Sequence, residues 1–173
     1  IRDRLLAALD LWLVFAQTKD LGAILNVADP DDYRNSVRAA VLAQDWARVR
    51  KLVDQGEALE QPPRFSIALD PLGQVPVERR RVVLKRLATV PPHDLMVLME
   101  LAAAYPPNEK NAPDRVRWYQ AAVSSHPHVA VSWYGLGGAL RAKGDLEGAL
   151  TAFREAIKID PKYAAAHNSL GVV

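Results

Sequence analysis

Residues 130–161 read AVSWYGLGGALRAKGDLEGALTAFREAIKIDP. Trp133, Leu136, Gly137 and Leu140 recur at the three- and four-residue spacing that places side chains on one face of a helix. After Gly144 and Asp145, the same spacing resumes with Ala149, Phe153 and Ala156, and it stops at Asp160-Pro161. Gly144 is expected to end the first helix and Asp145 to cap the second. Asp160 and Pro161 are expected to supply the N-cap and first turn of a third. A glycine inside a helix costs about 1 kcal/mol relative to alanine. Gly137 therefore predicts a close approach of the second helix, placed at Ala149. Two short amphipathic helices with facing apolar stripes make an antiparallel hairpin.

The hairpin recurs. Leu136-Gly137 returns as Leu170-Gly171, a separation of 170 − 136 = 34 residues. With Trp133, Leu136, Gly137, Ala149, Phe153, Ala156 and Pro161 in place, the stretch resembles the tetratricopeptide repeat, and it departs from that pattern at Leu140, where tyrosine is usual. Upstream, Leu98, Leu101, Ala102 and Tyr105, then Tyr119, Ala122 and Pro127, form a degenerate copy with an insertion over 106–113. Pro92 precedes Pro127 by 127 − 92 = 35 residues, which makes Leu84 and Leu87 the second helix of a still weaker copy. The resemblance implies an all-α solenoid of antiparallel helix pairs, a right-handed superhelix of about ten or eleven helices. Irregular hairpins are expected over 1–92 and repeats over 93–173: degenerate over 93–128, complete over 130–163, and a truncated first helix over 164–173.

The N-terminal half is helical by periodicity but lacks the repeat signature. Leu5, Leu9, Trp12, Leu13 and Ala16 make one stripe, and Leu6, Leu11, Val14 and Phe15 on the other side predict burial on more than one face. Leu21, Ile24, Leu25 and Ala28 form a second helix ending at Asp29-Pro30. Pro30, Asp31 and Asp32 open a third, carrying Tyr33, Val37, Ala40 and Val41, with carboxylates at its positive end. Gln44-Asp45 breaks the pattern before Trp46, Val49 and Val53. Residues 61–76 are proline-rich and leave room for a short helix over 64–70. The four tryptophans are expected to be packing residues, with Trp118 partly exposed or buried against the next repeat.

Composition narrows the function. The chain has 173 residues, 22 basic and 20 acidic, for a formal net charge of +2. So small an excess argues weakly for nucleic acid. With no cysteine, disulfides, thiolate metal sites and cysteine catalysis are excluded, and a cytoplasmic location is expected. Leu11 to Ala16 is the longest apolar run, well below the roughly 20 residues of a membrane span. Both ends read as cut from a longer protein, and the truncated last helix is expected to pack through Leu170 and Val173 against another copy or to fray. The stretches Arg4–Asp10 with Trp12, Ala28–Asp31, and Arg38 followed by Asp45 stand ahead of the repeats. Together with them, the chain resembles the helical region downstream of the kinase domain in large bacterial serine/threonine protein kinases. The kinase's own loops are missing from this segment.

The repeat resemblance implies a non-enzymatic scaffold that binds a protein or peptide in a groove lined by first helices. The groove positions fall on Val131, Tyr134, Gly138 and Arg141, on Ala165, Asn168 and Val172, and on Met96, Met99 and Ala103. Two other function classes stand beside this one. The segment could act in cis as a regulatory arm on a catalytic domain outside it, or bind anionic partners through Arg79, Arg80, Arg81, Lys85 and Arg86. Solvation is the simpler account of that basic cluster. No cofactor or metal is expected. His126 and His128 flank Pro127 and point apart, His93 and His167 are remote, and Asp29, Asp31 and Asp32 lack the glycine and distal glutamate of a calcium loop. Helix capping accounts for those aspartates.

Overall fold

A computed structural model describes residues 2–62, 65, 75–89 and 93–172. Ten α-helices and two short 3-10 turns account for the described chain, and it contains no strand. The fold is an all-α arrangement of consecutive helix pairs, grouped in two compact units, Ile1–Val90 and Pro91–Val173.

The first unit contains α1 (Arg2–Ala16), α2 (Lys19–Ala28), α3 (Asp32–Leu42), α4 (Trp46–Val53) and α5 (Val77–Ala88). Its buried residues explain how α1 is held. Leu13 packs with Leu21 and Leu25 of α2. Its neighbour Val14 joins Val37 and Val41 of α3 and Val49 of α4. Among the described residues, the opposite side of α1 is open. Leu5, Trp12 and Phe15 are 59%, 59% and 62% exposed, which corrects the expectation that α1 is buried on several sides and that Trp12 is a packing residue. Ile24 of α2 is likewise exposed. Asp31 caps α3 as expected, accepting from the Arg34 N–H at 2.7 Å, and Asp45 caps α4 through the Arg48 N–H at 2.9 Å. Of the short helix expected over 64–70, all but Phe65 lies outside the described residues.

A buried ion network that the sequence reading missed ties α1 to α3. Arg38, 1% exposed, donates from Nε and Nη2 to the Asp10 carboxylate at 2.8 and 3.2 Å. It also donates from Nη2 to Asp29 Oδ2 at 2.8 Å, and from Nη1 to the Asp29 carbonyl and Asn35 Oδ1 at 3.1 and 3.0 Å. All five guanidinium N–H groups are thus satisfied. Arg34 closes on the same Asp29 with a two-pronged contact at 2.6 and 2.8 Å. Asp29 is therefore an ion-pair centre, which corrects its reading as a capping residue.

The second unit contains α6 (Leu95–Ala103), α7 (Ala112–Ser125), α8 (Ala130–Lys143), α9 (Leu146–Ile159) and α10 (Ala164–Leu170), each packed on the next. Gly144 ends α8 in the left-handed region at φ 88°, as its sequence position predicts. Asp145 caps α9, accepting from the Gly148 N–H at 2.9 Å. The partner that requires Gly137 is Phe153, not Ala149: a Cβ on Gly137 would lie 2.5 Å from the Phe153 ring. A Cβ on Gly135 would collide with the Tyr119 ring of α7. Two glycines thus let α8 seat against an aromatic ring on either side.

The turns between pairs also differ from expectation. Asp160 ends α9 and holds the Lys162 N–H at 3.0 Å, while Pro161 stays in the turn and α10 starts three residues later. The turns are fastened from the next helix. Trp133 Nε1 donates to the Pro127 carbonyl at 2.8 Å, and His167 Nε2 contacts the Pro161 carbonyl at 3.0 Å. Both pairs are related by one repeat, 167 − 133 = 34 and 161 − 127 = 34, so histidine takes over the tryptophan's bond. Trp118 is buried at 9% exposure, with its indole nitrogen lacking a hydrogen-bond partner among the described residues.

Candidate functional site

The first helices of the second unit, α6, α8 and α10, carry the groove positions implied by the repeat except Val172, which lies in the turn after α10. Their apolar stripes are spent on the second helices: Leu98, Leu101 and Ala102 of α6, Leu136 and Leu140 of α8 and Ala166 of α10 are all buried. Several of the remaining groove positions are small or apolar. Met96 and Val131 are 44% and 45% exposed, and Ala103 is exposed as well. A Cβ on Gly138 would meet nothing within 4 Å, so a ligand backbone has room to approach α8 there.

Two of the groove residues are committed to the fold. Met99 is half-buried, and its sulfur accepts from Ser132 Oγ at 3.5 Å, which joins α6 to α8 across one repeat. The Tyr134 ring lies 5.8 Å from Phe153 and 5.3 Å edge-on from Tyr163, so it lines the passage from α8 to the α9–α10 turn. Desolvation of Tyr163 in this aromatic group pushes its hydroxyl above the usual tyrosine range, with the Tyr134 charge adding to it.

Arg141 and Asn168 are the polar candidates. Both are exposed, and among the described residues neither side chain has a hydrogen-bond or ion-pair partner. Arg141 stands with Lys143 in the last turn of α8. A cation there also complements the negative end of the helix, worth about 0.3–1 kcal/mol. Met96 and Val131 thus leave apolar surface exposed, and Arg141 and Asn168 keep unspent donors.

The other predicted features are occupied by structure. Arg79 pairs with Asp54 at 3.0 Å, and Arg80, Arg81 and Lys85 also have interaction partners. The cluster on α5 is thus no row of free cations, and Val83, Leu84 and Leu87 take its buried side. His126 Nδ1 contacts Ser125 Oγ at 3.0 Å. Among the described residues, no group of three or more His, Asp or Glu side chains is placed to hold a metal. No described helix is long and apolar enough to cross a membrane.

The family model of the TPR repeat (the tetratricopeptide repeat) matches residues 137–173. A comparison with curated proteins finds no match. Solved structures share the fold. A MamA fragment from Desulfovibrio magneticus RS-1, residue 41 to its end, is 23% identical with a TM-score of 0.61, over 81% of this chain and 80% of that chain. YrrB, described as a TPR protein with an unusual peptide-binding site, is 16% identical with a TM-score of 0.61, over 87% of this chain and 80% of that one. MamA from AMB-1 is 19% identical with a TM-score of 0.60, over 81% and 78%. Identities this low speak for the shared architecture alone.

Proposed function

We propose that this chain is a non-catalytic TPR scaffold that binds a protein or peptide along the open side of α6, α8 and α10. The observation that carries the reading is a row of first helices whose buried stripes are satisfied, while Met96, Val131, Arg141 and Asn168 stay exposed. A peptide laid there gains apolar contact at the first two. Its carboxylates or carbonyls can accept from the last two. The peptide-binding description of YrrB supports the same use of this architecture.

A second reading rests on the N-terminal stretches around Asp10, Asp29 and Arg38, through which the chain resembles helical regions that follow bacterial serine/threonine kinase domains. In that setting the segment belongs to a longer, cytoplasmic polypeptide and either recruits partners for a catalytic domain or regulates it in cis.

The test is capture of partners from source-cell lysate with wild type and with two variants of matched helix content. Val131→Glu/Arg141→Glu alters the proposed face without touching the Tyr134 packing. Lys158→Glu alters an exposed position on α9. A partner lost only with the first variant supports the groove. A partner retained by both places binding elsewhere. Capture of nothing by wild type favours the cis-acting arm, which is then examined by deleting the segment from the parent polypeptide and assaying its activity.

A further inference from the structure

The first unit contains a cavity of about 340 Å³ that the groove reading does not use. It opens between the N-terminal half of α1, the α2–α3 turn and Phe65. This is the lower end of the roughly 300–1,000 Å³ typical of ligand pockets, and suits a ligand of about a dozen heavy atoms.

Its walls divide by chemistry. Leu6, Ala7, Pro62 and Phe65 supply an apolar side. Phe65 is fixed, 4% exposed, with the Arg34 and Arg38 guanidinium carbons 5.9 and 5.6 Å from its ring centre. The polar side is Asp10, Asp29, Arg34 and Arg2. Both carboxylates are withdrawn: the Asp10 and Asp29 side chains are 2% and 12% exposed, and arginines hold both oxygens of each. The unspent capacity belongs to donors. Arg2 is exposed and makes one bond, Nη2 to the Ala28 carbonyl at 2.8 Å. Arg34 gives its Nε and one N–H of Nη2 to Asp29, and one of Nη1 to Gln61 Oε1 at 3.0 Å. A guanidinium has five N–H groups, so further donors remain on both arginines. Asp31 Oδ2, 3.6 Å from Arg34 Nη1, is too far to consume one.

We propose that this cavity binds a small carboxylate with an aliphatic or aromatic tail. The carboxylate accepts from Arg2 and Arg34, and the tail lies against Leu6, Ala7, Pro62 and Phe65. Charge-assisted bonds from guanidinium groups are the strongest available to such an anion. The tail gains by leaving water. A cationic ligand is disfavoured because, among the described residues, the carboxylates that line the cavity, Asp10 and Asp29, are already paired and covered. The proposal is independent of the groove in the second unit.

The experiment is an NMR titration of the whole ¹⁵N-labelled chain with 3-phenylpropionate, beside its uncharged amide. Saturable shifts are expected at the amides of Ala7, Asp10, Arg34 and Phe65, with a Kd of about 1 mM or tighter. The amide analogue should bind at least about tenfold more weakly. Arg2→Met, which keeps the apolar stem, should weaken the acid by about tenfold. Ala7→Leu, which fills the cavity, should abolish the shifts in a chain of unchanged spectral dispersion, and it carries the test alone if Arg2→Met disturbs α1. The proposal is overturned by the absence of saturable shifts, by equal binding of acid and amide, or by Ala7→Leu binding as wild type does.

Discussion

Gly135, Gly137 and Gly138 lie within four positions of one another on α8, yet a methyl group added to each meets a different neighbour. At 137 it would meet the Phe153 ring, at 135 the Tyr119 ring, and at 138 open space. Phe153 is 0% exposed and Tyr119 is 7% exposed, so neither ring can swing into solvent to make room. Gly137→Ala and Gly135→Ala should each cost about 1–3 kcal/mol through overpacking. Gly138→Ala has negative φ and no clash, and should stabilise by about 0.5–1 kcal/mol, because alanine loses less backbone freedom on folding. Urea denaturation of the three variants checks the order, and a stabilised Gly137→Ala would show that the Phe153 contact does not require glycine. Of the three, only Gly137 was legible as a residue with a packing role, because its repeat position draws attention to it. Its true partner was not, since the sequence gives no direction for the Phe153 ring.

Between elements, the hairpins of the second unit follow from local spacing, whereas the joint between α1 and α3 depends on residues far apart in the chain. Asp10 and Arg38 are 38 − 10 = 28 positions apart and carry no local mark of pairing. An aspartate inside the apolar run of α1 was the one available hint. The apolar pattern on more than one face of that helix also concealed that Trp12 is exposed. Arg38→Met would leave the buried Asp10 carboxylate without its cation, while Asp29 keeps Arg34, and should cost about 3–5 kcal/mol at neutral pH. Asp10→Asn added to it should recover part of the loss, a coupling that urea midpoints of the double-mutant cycle measure. The two carboxylates respond oppositely to pH. Burial raises the Asp10 pKa despite the Arg38 bond. At Asp29 burial pushes in the same direction, but hydrogen bonds from Arg34 and Arg38 outweigh it and hold the pKa below the ordinary value of 3.8. Asp29 therefore contributes stability above pH 3.8, which is lost as pH falls through its folded value. Asp10 contributes below pH 3.8, and that contribution is lost as pH rises through its raised folded value. On acidification from pH 7, wild type should gain on Asp10→Asn. Below pH 3.8 it should lose ground to Asp29→Asn. A pH-independent difference for either variant would contradict the assignment. Among the turn bonds, Trp133→Phe removes the donor to Pro127 while keeping a ring, and should cost about 1 kcal/mol in the same assay.

Over the whole molecule, the two units are stabilised differently, and acid should separate them. In the first, Arg38 and Arg34 are held by Asp10 and Asp29 in a largely covered cluster. In the second, the described core is apolar and small-residue packing, with Leu98, Leu101, Ala122, Ala139, Phe153 and Ala156 all at most 2% exposed. Its Lys158–Glu155 ion pair is a solvated surface contact that adds little. Protonating Asp29 removes the stabilisation that Arg34 and Arg38 give its carboxylate below pH 3.8, a loss that protonation of Asp10 offsets only in part. The second unit has no equivalent group among its described residues. Tryptophan fluorescence can resolve the two, because Trp12 and Trp46 lie in the first unit and Trp118 and Trp133 in the second. A Trp118→Phe/Trp133→Phe chain reports the first unit, and Trp12→Phe/Trp46→Phe the second. In an acid titration, the first reporter should change at higher pH than the second, while circular dichroism shows part of the helix content surviving between the two transitions. Coincident transitions for both reporters would mean that the units unfold as one cooperative body, and that the Arg38 network governs the stability of the entire chain.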